Sequence, residues 1–217
     1  MNQVFAPGCT LMLYKPELVD KLKTLIVSEF GEMPTLLTCC FHDSKLEHGT
    51  RVITVCSACD KSYRELYEGI ATVLFWEVLA DSETFNFPDY KGIEMAIQDT
   101  CYSRTDESYQ NAIRKLLARM NIRVIEPELT RTKAICCGDH FYGNLPVEQV
   151  NELMKKRAQQ MPCEEVVVSC VSCVKSMHIG GKKPRFIIDL LFREDTLIDN
   201  YETQGWHKQM EDFIEAH

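Results

Sequence analysis

Hydrophobic residues recur at intervals of three and four along six stretches of the chain, the spacing that gathers them on one face of an α-helix. The helices predicted from this pattern span 16–30, 60–81, 105–120, 147–160, 184–193 and 204–216. Short β-branched or apolar runs between them predict strands at 51–55, 92–97, 122–126 and 165–169. Strands that alternate with helices in this way indicate an α/β fold with parallel sheets.

The cysteines show that the chain repeats itself. Two sets have the same order, which is a single cysteine, an adjacent pair and a CxxC motif. The sets are Cys9, Cys39-Cys40 and Cys56-x-x-Cys59, then Cys101, Cys136-Cys137 and Cys170-x-x-Cys173. The flanks repeat as well, since VITVCSACDKSY (52–63) matches VVVSCVSCVKSM (166–177). The sequence therefore indicates an internal duplication.

The repeats predict where the cysteines lie in the fold. Turn-forming residues in ADSETFNFPDYKG (80–92) mark the natural boundary between two α/β units. Each CxxC motif is predicted at the point where a strand ends and a helix begins, an edge at which open α/β folds place ligands. The free N–H groups and partial positive charge of a helix N-terminus stabilise thiolates at such a position.

Composition narrows the kind of protein. The net charge of −8 comes from 32 acidic and 24 basic residues without a basic run, which predicts no binding to nucleic acid. The longest apolar stretch, Ile70–Ala80, is interrupted by Glu77 and is too short to span a membrane. MNQVFAPGC does not have the pattern of a signal peptide, so we expect a cytoplasmic protein. Thiols stay reduced there, which favours metal binding or catalysis over a disulfide framework for the 11 cysteines.

Five thiols in each set restrict the kind of metal site. A structural zinc site takes four ligands, often two CxxC pairs, whereas each set offers one CxxC motif, a doublet and a single cysteine. Adjacent residues cannot easily aim both sulfur atoms at one ion. A cluster of several irons can use both, one on each of two irons, and thiolates are its usual ligands.

The pattern of the second set, C–x(34)–CCG–x(32)–CxxC with Gly138 after the doublet, resembles the cysteine-rich CCG domain. That domain occurs in heterodisulfide reductase and in the iron–sulfur components of glycolate, lactate and glycerol-3-phosphate oxidation systems. Such proteins carry the domain twice, so the resemblance covers essentially the whole chain. It implies an α/β fold of two tandem Rossmann-like CCG-type units, 1–88 and 89–217, related by pseudo-two-fold symmetry.

The resemblance also implies two iron–sulfur clusters facing each other across a disulfide substrate. One 4Fe–4S cluster, of the non-cubane type, would be held by Cys101, Cys136, Cys137, Cys170 and Cys173. The other would be held by Cys9, Cys39, Cys40, Cys56 and Cys59. The first motif departs from the family, because Phe41 replaces the glycine and only 15 residues separate Cys40 from Cys56. The cluster type there stays open, with a conventional cubane on four thiols as the alternative.

Three functions remain for such a chain. The leading hypothesis is a heterodisulfide reductase-like enzyme, or its catalytic subunit, that acts on a small disulfide. No ferredoxin-type cysteine run is present, so a separate ferredoxin-like or flavoprotein subunit would donate electrons. The alternatives are an electron-transfer subunit for a hydroxy-acid dehydrogenase, and a zinc scaffold or cluster-based redox sensor.

Three further residues could contribute to the chemistry. His42 and His140 follow the two doublets, and either could donate a proton to a leaving thiolate. Ordinary surface or core histidines are the favoured interpretation of both. Cys163 belongs to neither set, and a structural role is favoured for it over a ligand or redox role.

Overall fold

The computed structural model describes residues 2–198 and 202–217. The chain divides into two compact units, Met1–Val78 with Lys208–His217, and Leu79–His207. Each unit has its own sheet, and all the paired strands in both sheets are parallel. The predicted α/β class is therefore confirmed. The predicted symmetry between the two units stays a prediction.

The first unit is built on a three-stranded sheet in the order β1-β2-β3. Val4 of β1 lies opposite Val52 of β2, which lies opposite Thr72 of β3. Val52 and Ile53 are fully buried, as β-branched residues at the centre of a parallel sheet usually are. The elements are β1 (Gln3–Ala6), α1 (Cys9–Tyr14), α2 (Pro16–Phe30), β2 (Arg51–Thr54), α3 (Ser57–Leu66), β3 (Ala71–Leu74) and α4 (Phe75–Asp81), the last of which contains the first division between the units.

The second unit is built on a four-stranded sheet in the order β5-β4-β6-β7. Its core includes the fully buried run Val166–Val168 of β6. The elements are β4 (Ile93–Gln98), a 3₁₀ turn (Cys101–Ser103), α5 (Glu107–Arg119), β5 (Ile122–Ile125), α6 (Val147–Gln159), β6 (Glu165–Val168), α7 (Val171–Ile179), β7 (Lys183–Phe186), α8 (Ile187–Phe192) and α9 (Thr203–Ala216), the last of which contains the second division between the units.

Most predicted elements are confirmed to within two residues at each end, but two predicted helices are only partly correct, because each includes a strand. The helix predicted at 60–81 is the end of α3, then β3, then α4, because Gly69 at φ 74° turns the chain before ATVL pairs with β2. The helix predicted at 184–193 begins as strand β7, where Pro184 is tolerated because β7 is an edge strand. The strands β1, β3 and β7 and the short helix α1 were not predicted, and α7 was predicted only as a helix that begins at the second CxxC motif, without bounds.

The two units differ most in the segment between the doublet and the CxxC motif. In the second unit this segment contains α6 and β6. In the first unit residues 41–50 form an irregular loop that leads directly into β2. The shorter spacing of the first set therefore reflects the loss of one helix, and the strand is kept.

Within the described part of the chain, no helix combines the length and the apolar character needed to cross a membrane.

Candidate metal centres

Parallel strands place the single cysteine and the CxxC motif of the first set at one edge of the sheet. Cys9 opens α1 three residues after the end of β1. Cys56 is the N-cap of α3, two residues after the end of β2. Because β1 and β2 are parallel neighbours, their carboxyl ends lie side by side. This confirms the predicted position of the CxxC motif.

The doublet of the first set reaches the same edge through a loop that runs beside β1. The amide of Phe5 donates to the carbonyl of Pro34 over 2.9 Å, and the amide of Leu36 donates to the carbonyl of Phe5 over 2.7 Å. These bonds guide the loop in the direction of β1. Cys39 and Cys40 follow a few residues later and are buried.

The five thiols of the first set form a continuous string. The sulfur atoms of Cys9 and Cys39 are 3.7 Å apart. Cys39 interacts electrostatically with Cys40, Cys40 with Cys59, and Cys59 with Cys56. The string runs from the single cysteine through the doublet to the CxxC motif, and Cys40 and Cys59 lie within the unit's hydrophobic core.

The second set occupies equivalent positions. Cys101 lies three residues after the end of β4, and Cys170 is the N-cap of α7, two residues after the end of β6. These are the offsets found for Cys9 and Cys56. The side-chain amide of Gln98, the last residue of β4, donates to the carbonyl of Ile135 over 3.1 Å, which ties the doublet loop to the strand end.

The second set forms a string in the same order. Cys101 interacts electrostatically with Cys136, Cys136 with Cys137, Cys137 with Cys173, and Cys173 with Cys170. All ten cysteines predicted as ligands are therefore brought together in their two sets, although the spacing within the sets differs.

Sulfur donors alone define both sites. Among the described residues, no three His, Cys, Asp or Glu side chains form a group placed to hold a metal ion. The five thiols instead follow one another in a string, an arrangement that could bind several iron atoms of a larger centre. Soft thiolates in this number are the ligands of iron–sulfur clusters. The clustered cysteines are thus compatible with iron–sulfur clusters.

In each string, the first cysteine of the doublet has the lowest pKa and is therefore the thiol that is deprotonated. Hydrogen bonds from Cys40 and Cys9 lower the pKa of Cys39 to about 3. Hydrogen bonds from Cys101 and Cys137 lower the pKa of Cys136 to about 2. Burial alone would raise the pKa of both. Each site therefore holds at least one thiolate, the form of cysteine that binds metals.

Backbone amides add to this stabilisation. The amide of Gly138 donates to the sulfur of Cys136 over 3.4 Å. At the N-terminus of α3, the amides of Cys59 and Ala58 also donate to Cys56, whose pKa is lowered to about 7, chiefly by the hydrogen bond from the Cys59 thiol. The start of α3 thus acts at the first CxxC motif as the sequence predicted.

Helices α6 and α7 fix the doublet of the second set. The hydroxyl of Ser176 on α7 contacts the sulfur of Cys137 at 3.2 Å and is fully buried. Gly138 adopts φ 112°, and a Cβ atom there would lie 2.8 Å from the backbone nitrogen of Met154 on α6. The glycine is needed because α6 packs directly against the backbone after the doublet.

A second group of residues holds the chain just beyond this glycine. His207 Nε2 lies 3.0 Å from Asp139 Oδ1, and the His207 ring stacks on Tyr142 at 3.7 Å between centroids. Sequence reasoning missed these contacts, which join positions about 65 residues apart without a local motif. For Ser176 a signal existed, since Lys-Ser follows both CxxC motifs.

The remaining predicted residues lie outside the strings. His42 and His140 are exposed, and the His140 ring makes edge contacts with Tyr102 and Phe141. Cys163 is half-buried in the loop between α6 and β6, and its carbonyl accepts a hydrogen bond from Lys182 over 2.8 Å. Cys163 is therefore apart from both sets, as predicted.

Comparison with known proteins identifies one segment of the chain. Residues 95–178 match the family described as the cysteine-rich domain, CCG, and this segment contains the entire second set. No curated protein gives a significant match. The match supports a CCG domain in the second unit.

Similarity to solved structures is remote. Aspartate racemase from Picrophilus torridus has a TM-score of 0.35 and 9% identity, over 88% of this chain and 91% of its own. Glutamate racemase isoform RacE1 from Bacillus anthracis has a TM-score of 0.37 and 8% identity, over 98% of this chain and 82% of its own. Similarities at this level carry no argument about function.

Proposed function

We propose that the chain is an iron–sulfur oxidoreductase, or the catalytic subunit of one, that reduces a small disulfide with electrons from a separate donor protein. The observation that carries this proposal is the pair of five-thiol strings with the same order of contacts. The match of residues 95–178 to the CCG domain supports a metal–sulfur role for the second string. We place the activity in the cytoplasm, where thiols and such clusters stay reduced.

The strings support one assignment of ligands to the two centres. A 4Fe–4S cluster of the non-cubane type would be held by Cys101, Cys136, Cys137, Cys170 and Cys173. A second 4Fe–4S cluster would be held by Cys9, Cys39, Cys40, Cys56 and Cys59. A cubane on four of those five thiols is the alternative for the first set, which lacks both the glycine after the doublet and the helix that packs on it.

The two sets differ in their access to solvent, which favours the second as the side that meets the substrate. Cys101, Cys136 and Cys170 are half-buried, whereas in the first set Cys56 alone is half-buried and the other four cysteines are buried. A disulfide has to approach the centre that cleaves it. A buried centre can still pass electrons on, so we assign the first set to electron supply.

The overall reaction sets what the protein has to provide. A disulfide takes up two electrons and two protons, its S–S bond breaks, and two thiols form. Bound clusters would supply the electrons one at a time, after reduction by a ferredoxin-like or flavoprotein subunit. His42 and His140 are the candidate proton donors, because both are exposed and each lies beside a doublet.

Anaerobic metal analysis tests the first part of the proposal. Protein purified without oxygen should be brown and contain about eight iron and eight sulfide per chain if both sites hold four-iron clusters. A colourless protein with stoichiometric zinc would contradict the proposal and leave a zinc scaffold.

Thiol release tests the second part. Dithionite-reduced protein should convert a small disulfide into two thiols while its clusters are reoxidised, as followed by stopped-flow absorbance. Cys137→Ala or Cys170→Ser should abolish this reaction, because either change removes a ligand of the second set. The Cys163→Ser variant is the matched control and should react like the unmodified protein.

Exposed apolar side chains beside the doublets, largest in the first unit, favour electron relay as the second candidate function. Leu37 and Phe41 flank the first doublet and are 50% and 68% exposed. Exposed apolar side chains beside a redox site suit a protein partner better than a small substrate. Fast reoxidation by a partner protein, with no thiol released from any disulfide, would establish the relay and reject the reductase.

A further inference from the structure

The buried arginine of α6 has neutral hydrogen-bond partners. Arg157 is only 2% exposed. Its Nε donates to Gln98 Oε1 over 2.6 Å, and its two terminal nitrogens donate to Gln160 Oε1 and to the carbonyl of Leu129, each over 2.8 Å. Among the described residues, no carboxylate forms an ion pair with it. A guanidinium stays charged in proteins, so a full positive charge is buried here without a carboxylate partner.

The same unit shows how a buried arginine is ordinarily compensated. Arg114, whose side chain is 10% exposed, binds both oxygens of Asp99 at 2.9 Å and also pairs with Glu126. Asp99 in addition accepts a hydrogen bond from the hydroxyl of Thr130. The carboxylates near this part of the sheet are therefore already engaged with Arg114.

The charges that act on Arg157 point to the second cysteine set. Burial lowers the pKa of Arg157, and the negative charges of Cys173, Asp99 and Cys137 oppose that effect. Burial and their neighbours raise the pKa of Cys137 and Cys173 well above the usual value, so both are thiols until they bind a metal. Because Asp99 is engaged by Arg114, these two cysteines, as thiolate ligands of a bound centre, would supply the charge left to compensate Arg157. Both thiols are buried, so their interaction with the guanidinium is weakly screened.

Hydrogen bonds hold the guanidinium in place relative to the doublet. The side chain of Gln98 accepts from Arg157 and donates to the carbonyls of Asp99 and Ile135, over 2.7 and 3.1 Å. Ile135 immediately precedes Cys136. The position of the charge is therefore coupled to the loop that carries the ligands.

We propose that Arg157 is a buried countercharge of the second cysteine set and makes the centre held there easier to reduce than it would be without this charge. This inference rests on the proposed function for the identity of the centre. An added electron makes a thiolate-ligated centre more negative, and a fixed cation nearby stabilises that state. Among the described residues the first unit has no helix that corresponds to α6, and therefore no residue at the position of Arg157.

Redox titration of substituted proteins tests the proposal. Arg157→Gln removes the charge, and Arg157→Lys keeps it. Arg185→Gln removes a half-buried cation of the same unit that is paired with Glu165. Each protein is prepared anaerobically and titrated with dithionite while the clusters are followed by electron paramagnetic resonance. The variant Cys39→Ser with Cys40→Ser identifies the signal of the second centre.

The charge predicts a distinct order among the variants. Arg157→Gln should make reduction of the second centre roughly tenfold less favourable, which is about 59 mV for one electron, and leave the first centre unchanged. Arg157→Lys and Arg185→Gln should stay within about threefold of the unmodified protein. An unchanged potential in Arg157→Gln with full iron content would overturn this proposal and leave the proposed function intact.

Metal retention provides a second test, which applies also if a variant takes up little iron or if the protein binds another metal. A buried countercharge also strengthens the hold of an anionic thiolate centre on its metal. Competition with a chelator, with folding checked by circular dichroism, should remove metal from the second set of Arg157→Gln at least roughly tenfold more readily than from Arg157→Lys. Equal retention would overturn the proposal, even in a zinc-loaded protein. An unmodified protein that binds no metal under anaerobic reconstitution would reject this inference and the proposed function together.

Discussion

Replacing Gly138 by alanine adds one methyl group, which has two effects: backbone strain and a steric clash with α6. A control variant separates them. The backbone at Gly138 has φ 112°, and the new Cβ would lie 2.8 Å from both the backbone nitrogen and the Cγ of Met154. Gly143 in the same unit has φ 81° and nothing within 4 Å of such a Cβ, so Gly143→Ala is a matched control. Both variants incur backbone strain of about 1–3 kcal/mol. Only Gly138→Ala adds a steric clash, of about 1–3 kcal/mol.

The expected free energy of unfolding follows from these terms. Gly138→Ala should lose about 2–6 kcal/mol, a large part of the 5–15 kcal/mol typical of a folded protein. Anaerobic urea unfolding monitored by circular dichroism measures the loss, and iron analysis should show about four of eight irons missing, because the doublet loop shifts. A Gly138→Ala protein as stable as Gly143→Ala, with full iron, would refute the argument that α6 requires this glycine.

Two further substitutions test single contacts of the second unit. Ser176→Ala removes the hydroxyl that contacts the sulfur of Cys137 at 3.2 Å. A redox titration should show a lower reduction potential for the second centre, because the sulfur loses a hydrogen bond. An unchanged potential would show that this contact does not tune the centre. Cys163→Ser should leave iron and sulfide content unchanged, because Cys163 lies in the loop before β6 and outside both strings; loss of about four irons would make it a ligand.

The sequence predicted that the cysteines of each set lie close together, because the internal duplication is visible in the order of the cysteine motifs. Two sets with the same order of motifs indicate two similar sites without any knowledge of the contacts. The offsets from the strand ends then follow from parallel strands and short turns. For that reason the predicted position of each CxxC motif, before α3 and before α7, is confirmed.

The errors in the predicted elements have a physical cause. The run IATVLFWEVLA fits a helical spacing, but its first half pairs with β2 as a strand and its second half forms α4. Short apolar runs fit both periods, and only contacts with a neighbouring strand decide between them. Arg157 and His207 were missed for a related reason, since their partners lie far away along the chain.

The unequal spacing of the two repeats gives a last prediction, which concerns Phe41. If α6 is what requires a glycine after the doublet, a unit without α6 tolerates another residue there, and Phe41 is 68% exposed. Phe41→Gly should therefore leave the iron content and the resonance spectrum of the first centre unchanged and alter stability by less than about 1 kcal/mol. A first centre that acquires the spectrum of the second would show instead that the glycine itself determines the cluster type. The structure favours the first outcome, because Gly138 contacts Met154 of α6 and no such helix follows Phe41.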